Sequence, residues 1–197
     1  MGEVEFTLLS VDPGWSTGWA MLTVEGGEVR LSKQGTIEGG VDGWLSHGSD
    51  MGDIYFGTIV CEDFIVEPAY VGRAWSSEVI GALKAKIAFE NVILQSRSDK
   101  ATLFTQKHTG DKGETERFAW LRERGFSGTP HELDAITHAL VYLKRQRNRA
   151  ALKQYWGIGP KNEKTKPRQI YCPGLCCRLE HLRSRMNIHE DKSLPYT

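Results

Sequence analysis

Residues 6–24, FTLLSVDPGWSTGWAMLTV, restrict the fold of this chain more than any other stretch. An apolar, β-branched run reaches Asp12 and meets Pro13-Gly14, where proline fixes φ and glycine accepts angles that other residues resist, so a strand has to stop and turn. Gly18 then opens residues 19–24, which read as the returning strand of a hairpin with Trp15, Ser16 and Thr17 at its tip. Alternation puts Phe6, Leu8, Ser10 and Asp12 on one face. A carboxylate at a rigid strand end can serve as a metal ligand. Asp before Pro-Gly is also ordinary turn chemistry, in which the side chain hydrogen-bonds only its own loop.

Further elements follow in a mixed order. Residues 28–37 read as a third strand, with Val29, Leu31 and Lys33 alternating toward one face, so the first three strands form an antiparallel meander. Residues 39–56 are rich in Gly, Ser and Asp, and around 41–51 a short helix or a loop is expected. TIVCEDF, residues 58–64, is a strand with Thr58, Val60 and Glu62 on one face and Ile59 and Cys61 on the other. Ser76 or Ser77 caps a helix running to about Glu90, with Val79, Ile80, Leu83 and Ile87 as its buried stripe. Residues 91–95 then read as a short buried strand, and strand, helix, strand in that order implies a right-handed parallel crossover. Residues 114–123 form a helix with Phe118 and Leu121 inward, and a longer helix begins at His131 and runs to about Arg149. The expected fold class is α/β, with a mixed central sheet flanked by helices.

Composition bounds the rest. With 197 residues and 40% hydrophobic content the chain can bury one real core, giving one domain over residues 1–149 and a basic extension over 150–197. No segment approaches the roughly 20 apolar residues of a membrane span, and MGEVEFTLL has no basic region before an apolar one, so a soluble, cytoplasmic protein with no membrane partner is expected. The net charge of +0 hides an asymmetry. Acids dominate through Glu67, against only Arg30 and Lys33, while residues 144–168 are densely basic, as suits phosphate contact or a solvated tail. Cys61 sits in a buried strand and Cys172, Cys176 and Cys177 crowd the tail, a distribution unlike a disulfide scaffold.

HELDAITHALVYLKRQR carries the second chemical signal. On a helix His131, Asp134 and His138 fall within about 60° of one another, while Leu133, Ile136 and Leu140 form the apolar face. For His138 a hydrogen-bonded place on a solvent-facing polar stripe is the simpler reading. His131 and Asp134 gain meaning from partners elsewhere, and Asp12 and Glu62 are such partners.

LLSVDPGWSTGWAM, IVCEDF and HELDAITHAL, in that order and at these separations, resemble the RuvC-like Holliday junction resolvases of the RNase H-like superfamily, most closely the small versions carried by actinobacterial phages. The resemblance spans residues 6–144. It implies an RNase H-like fold, a metal-dependent, structure-selective endodeoxyribonuclease, and a catalytic, metal-holding set of Asp12, Glu62, His131 and Asp134, with histidine at the third position. In-line phosphodiester hydrolysis places negative charge on attacking and leaving oxygens, which two divalent ions about 4 Å apart can stabilise. Oxygen ligands suit Mg2+, and an imidazole leans the site toward Mn2+. Asp12 is expected to bridge both ions, Glu62 to hold one, and Asp134 with His131 the other.

The resemblance also implies branched DNA as the partner, a homodimer matched to the two-fold symmetry of a four-way junction, and the cytoplasm of the host bacterium for a phage-encoded chain. In the loop 68–75, Tyr70 or Trp75 can stack on an unpaired base, or Trp75 can pack beneath the helix start. Arg73, Lys100, Lys107 and Lys112 are candidate phosphate contacts. Gly14 and Gly18 leave room for the DNA backbone, and the helix from Ser76 to Glu90 is the expected dimer element, with core packing against the sheet competing for the same face. Cys172, Cys176, Cys177 and His181 have one short pair of spaced thiols and match no standard zinc ribbon, so a flexible basic tail is the more ordinary reading. Two other classes fit parts of the pattern: a non-catalytic binder of branched DNA, and an actin-like or sugar-kinase-like phosphotransferase, for which the chain is short of two lobes.

Overall fold

The first two strands are the hairpin that the Pro13-Gly14 break demands: β1 spans Val4–Asp12 and β2 spans Ser16–Glu25, antiparallel, with Asp12 opposite Gly18. The computed structural model describes residues 4–47, 57–64, 72–86, 92–104 and 111–159. A third strand, β3 (Glu28–Glu38), adds antiparallel to β2. After helix α1 (Gly40–His47) the chain enters β4 (Thr58–Asp63), crosses over through α2 (Trp75–Lys86), and returns in β5 (Val92–Ser96). β4 lies parallel to β1 and β5 parallel to β4, which gives the order β3-β2-β1-β4-β5 and the mixed sheet expected. A 3-10 helix (Arg97–Leu103), α3 (Asp111–Glu123), α4 (Pro130–Arg145) and α5 (Arg149–Trp156) complete the elements of the described residues. Among the described residues no helix is long and apolar enough to cross a membrane.

Period-two alternation divides the apolar residues between the faces. Leu8, Ala20, Leu22 and Val60 pack beneath α4 with Leu133, Ile136 and Leu140. Leu9, Val11, Ile59 and Cys61 pack on the other face with Trp44 of α1 and Val79, Ile80 and Leu83 of α2. Val79, Ile80 and Leu83 of the α2 stripe are thus used in the core, the one of the two expected uses of that face that the sheet provides, while Ile87 lies outside the described residues. In β3, Met21 pairs with Lys33 and Leu22 with Leu31, so Ser32 is an extra residue that reverses the strand's facing. Val29 and Leu31 consequently join the α4 side, Ile37 joins the α2 side, and Lys33 is exposed rather than continuing the inward series.

The long final helix is broken, unlike the continuous one expected to Arg149. α4 ends at Arg145, Arg147 takes a φ of 53°, and the Asn148 side chain accepts the Ala151 N–H at 2.9 Å to start α5. Asparagine competes well for that capping position. Past residue 149 the chain continues as α5, whose Ala151 and Tyr155 are buried in the same core, while Gln154 exchanges two hydrogen bonds with the backbone of Val29.

Candidate metal centre

Asp12 and Glu62 reach one place because both end parallel neighbours on the α4 face. Asp12 is the last residue of β1, and Glu62 lies near the end of β4, which runs beside it in register Ser10 to Val60. The turn after Asp12 is closed by Thr17, which accepts the Gly14 N–H at 3.3 Å and donates to the Gly14 carbonyl at 3.0 Å. Ser76, in the first turn of α2, donates to the Pro13 carbonyl at 2.7 Å and ties the crossover helix to the same turn.

α4 brings the third carboxylate, and its start is held from two sides. Thr129 and Glu132 form a capping box with Pro130 in the first turn. Glu132 also accepts from Gln34 (2.9 Å) and Thr36 (3.1 Å), which fastens the helix to β3. A Cβ on Gly18 would overlap the His131 carbonyl, so the space at Gly18 is filled by the first turn of α4 rather than left for DNA. His131 and Asp134 thereby face Asp12. His131 Nδ1 lies 3.4 Å from Asp12 Oδ2, with the imidazole half-exposed.

Lys100 departs most from expectation. Foreseen as a surface contact for phosphate, it is buried, and its Nζ lies 2.6 Å from Glu62 Oε2, 2.9 Å from Asp134 Oδ2 and 3.4 Å from Asp12 Oδ1. A buried ammonium is held in place only by such partners. The 3-10 helix that carries it is capped by Ser96 and Asp99 and fixed to the end of α4 by the bidentate Arg145–Asp99 pair (2.8 and 2.6 Å) and by Lys144 on the Thr102 and Leu103 carbonyls. On the other side of Asp134, Arg117 of α3 donates to Oδ1 at 2.9 Å.

His138, assigned from the sequence to a solvent-facing stripe, is fully buried. Its Nε2 lies 3.1 Å from Glu62 Oε2 and its Nδ1 2.8 Å from Gln95 Oε1, near the end of β5. The stripe His131, Asp134, His138 does exist on α4, but its lower end is covered by β4 and β5. Sequence reasoning thus missed Lys100, His138 and Gln95 at this centre. The i, i+4 step from Asp134 to His138 was the available signal for one of them.

Electrostatics follow from the crowding. Burial pushes the Asp12 carboxyl above its ordinary range, and contact with Glu62 adds to this against the opposing pull of His131 and Lys100. Burial acts on Glu62 in the same direction, but contacts with His138, Asp12 and Lys100 outweigh it and hold Glu62 well below the usual range. Burial would lower Lys100, yet Asp12, Asp134 and Glu62 raise it, so it remains a cation. Hydrogen bonding to Asp12 raises His131.

Oxygens of three carboxylates therefore already surround one positive charge. Asp12, Glu62 and His138 also offer one ligand atom each within 4.8 Å of one another. Carboxylate oxygens with imidazole nitrogen suit a hard or borderline divalent cation, so the donor set fits Mg2+ or Mn2+.

Of the residues expected to meet DNA, Arg73 donates to both Glu78 oxygens (3.0 and 2.9 Å) and lies over the Trp75 ring at 3.8 Å. Trp75 meets Trp15 edge-on at 4.6 Å and covers Gly40, whose φ of 59° and closeness to the ring both exclude a side chain. Trp15, at the tip of the β1–β2 turn, is 52% exposed. Tyr70, Lys107, the side chain of Lys112, and Cys172, Cys176, Cys177 and His181 lie outside the described residues.

The fold matches solved resolvase structures. RuvC of Thermus thermophilus in complex with Holliday junction substrate aligns with a TM-score of 0.53 and 14% identity, over 73% of this chain and 96% of that one. A second Thermus thermophilus RuvC structure gives 0.51 and 15%, over 72% and 97%. The fowlpox virus Holliday junction resolvase gives 0.51 and 11%, over 71% and 99%. No family model and no curated protein matches the sequence. At these identities the likeness establishes a RuvC-like, RNase H-like fold, as the ordered motifs imply.

Proposed function

We propose that this protein is a metal-dependent, structure-selective DNA endonuclease that resolves Holliday junctions and related branched DNA. The observation that carries the reading is the convergence of Asp12, Glu62 and Asp134, from two parallel strand ends and one helix, on a fold shared with structures described as Holliday junction resolvases. A lone acidic cluster would be weak support. The order of its members along this fold is what makes it specific.

Asp12, Glu62, Asp134 and His131 are the residues that would hold the divalent ions, Mg2+ or Mn2+. When bound, a pair of such ions supplies charge stabilisation for the attacking and leaving oxygens and lowers the pKa of bound water. The protein's own contribution is positional. β1 and β4 fix two carboxylates at rigid strand ends, and the α4 cap anchored on β3 fixes the third. Lys100 and Arg117 balance the carboxylates and keep three like charges together in a mostly buried place.

In the same reading the exposed Trp15 and the Arg73–Trp75 stack lie beside the turn that carries Asp12, where an unpaired base can stack and a phosphate can be met. Tyr70, Lys107 and Lys112 are further proposed contacts to DNA. Two-fold related cuts across a junction require two such centres, hence a homodimer. Residues past α5 would extend a basic contact to DNA.

A matched panel of four-way junction, flap, fork and linear duplex, each with Mg2+, Mn2+ or chelator, tests the proposal. Paired symmetric nicks in the junction that vanish with chelator are expected. Equal cutting of linear duplex would refute structure selectivity, and tight junction binding with no cutting under any ion would replace the nuclease with a branched-DNA binder.

A further inference from the structure

His138 is the most deeply buried titratable side chain at this centre, and the expected catalytic set has no use for it. Its two ring nitrogens have different neighbours. Nδ1 faces Gln95 Oε1 at 2.8 Å, and an amide oxygen only accepts, so Nδ1 carries the proton and donates. Nε2 points at Glu62 Oε2 3.1 Å away, and it donates to that carboxylate only with a proton of its own, a place that a cation takes when the ring is neutral. Lys100 Nζ lies 2.6 Å from the same oxygen.

An imidazole whose far N–H is tied to a fixed carbonyl, and whose near nitrogen looks into a carboxylate cluster, has the arrangement found at metal-bound histidines. Gln95 is itself 2% exposed and lies one residue before the end of β5, beside Glu62 in register, so the ring is fixed from behind by the sheet. The ligand atoms of Asp12, Glu62 and His138 lie within 4.8 Å of one another, near enough to share one ion.

We propose that His138, positioned by Gln95, is a nitrogen ligand to the divalent cation that Asp12 and Glu62 hold, and that it biases this centre toward Mn2+ over Mg2+. The inference rests on the cation-binding reading above. It deepens that reading by adding a second imidazole, buried where His131 is half-exposed. Nitrogen favours the borderline Mn2+ over the hard Mg2+, which prefers oxygen and retained water.

The test uses the full chain as His131→Ala, which leaves His138 as the imidazole at the cluster among the described residues. Mn2+ is added, and electron spin-echo modulation reads directly bound nitrogen while calorimetry reads Mn2+ and Mg2+ affinity. A nitrogen coupling typical of bound imidazole is expected. It disappears in His131→Ala/His138→Gln, where the Mn2+ over Mg2+ preference also shrinks, and Gln95→Leu weakens Mn2+ binding about tenfold, the usual scale for losing a hydrogen bond behind a ligand. Mn2+ bound by His131→Ala without nitrogen coupling overturns the assignment of His138 and leaves the carboxylate site standing. No Mn2+ binding by the wild-type protein overturns both. Should the double variant not fold, the His131→Ala spectrum alone decides.

Discussion

The two faces of the sheet are built from the same strands and behave as opposites. On the α2 side Leu9, Val11, Ile59 and Cys61 meet Trp44, Val79, Ile80 and Leu83, and the cluster is apolar throughout. On the α4 side the same strands begin with Leu8 and Val60 and end with Asp12 and Glu62, so an apolar core passes into a charged centre within a few residues. The α2 face is stable by area alone, since each buried aliphatic side chain contributes about 1.5 to 3 kcal/mol without reference to a particular partner. The α4 face depends on identities, because each buried charge there is tolerable only with its counter-charge present.

That contrast can be broken in order of effect. Asp12→Asn should reduce junction cleavage about a thousandfold, the equivalent of several kcal/mol of barrier, while junction binding by gel shift is retained. Appreciable residual cutting in Mg2+ or Mn2+ would remove Asp12 from the centre. Lys100→Met should cost about 3 kcal/mol of stability in chelator, since three carboxylates lose their shared cation. Added Mn2+ should restore more of that loss than it adds to the wild type, as read by urea unfolding; an unchanged midpoint in chelator would show that the ammonium is not structural.

On the other face, Ile59→Ala should cost about 2 to 4 kcal/mol and leave Mn2+ affinity within twofold, measured by calorimetry on the folded variant. A large affinity change would mean that the faces are coupled through β4. Gly18→Ala should cost about 1 to 3 kcal/mol by lifting the first turn of α4 from β2, and should weaken Mn2+ binding because His131 and Asp134 move with it. Equal stability and affinity would show that the helix start has room to shift.

The smallest effect lies farthest from the centre. Burial pushes Tyr155, which donates to the Val29 carbonyl, up to about 12. The folded state keeps this proton above pH 10 where the unfolded chain gives it up, so the contribution is intact below pH 10 and is lost as pH rises toward about 12, at no more than about 1.4 kcal/mol per pH unit. Tyr155→Phe should flatten that alkaline slope in pH-dependent unfolding and change nothing at the metal centre.

Much of this architecture is legible in residue order. The hairpin after Asp12, the outward and inward residues of β4, and the parallel crossover through α2 follow from turn chemistry and alternation, which act over a few residues. What failed to show has one physical cause. The extra residue at Ser32 changes the facing of β3 through its pairing with β2, the break at residues 146–148 competes with a helical pattern that runs straight through it, and neither is visible in a periodicity. Lys100 looked like any exposed lysine because nothing nearby in sequence tells of three carboxylates that lie 34 or more positions away.

The sequence by itself determined the order of strands and helices and put Asp12, Glu62, His131 and Asp134 at the ends and faces from which a common site can be made, since local backbone preference and side-chain period decide both. Only the tertiary structure decided what stands among them. The capping of α4 on β3, the docking of the 3-10 helix on α4 and the register of β5 beside β4 bring in Lys100, His138 and Gln95. A buried charge or lone pair has no defined role until its partners, distant in the chain, are fixed in space around it.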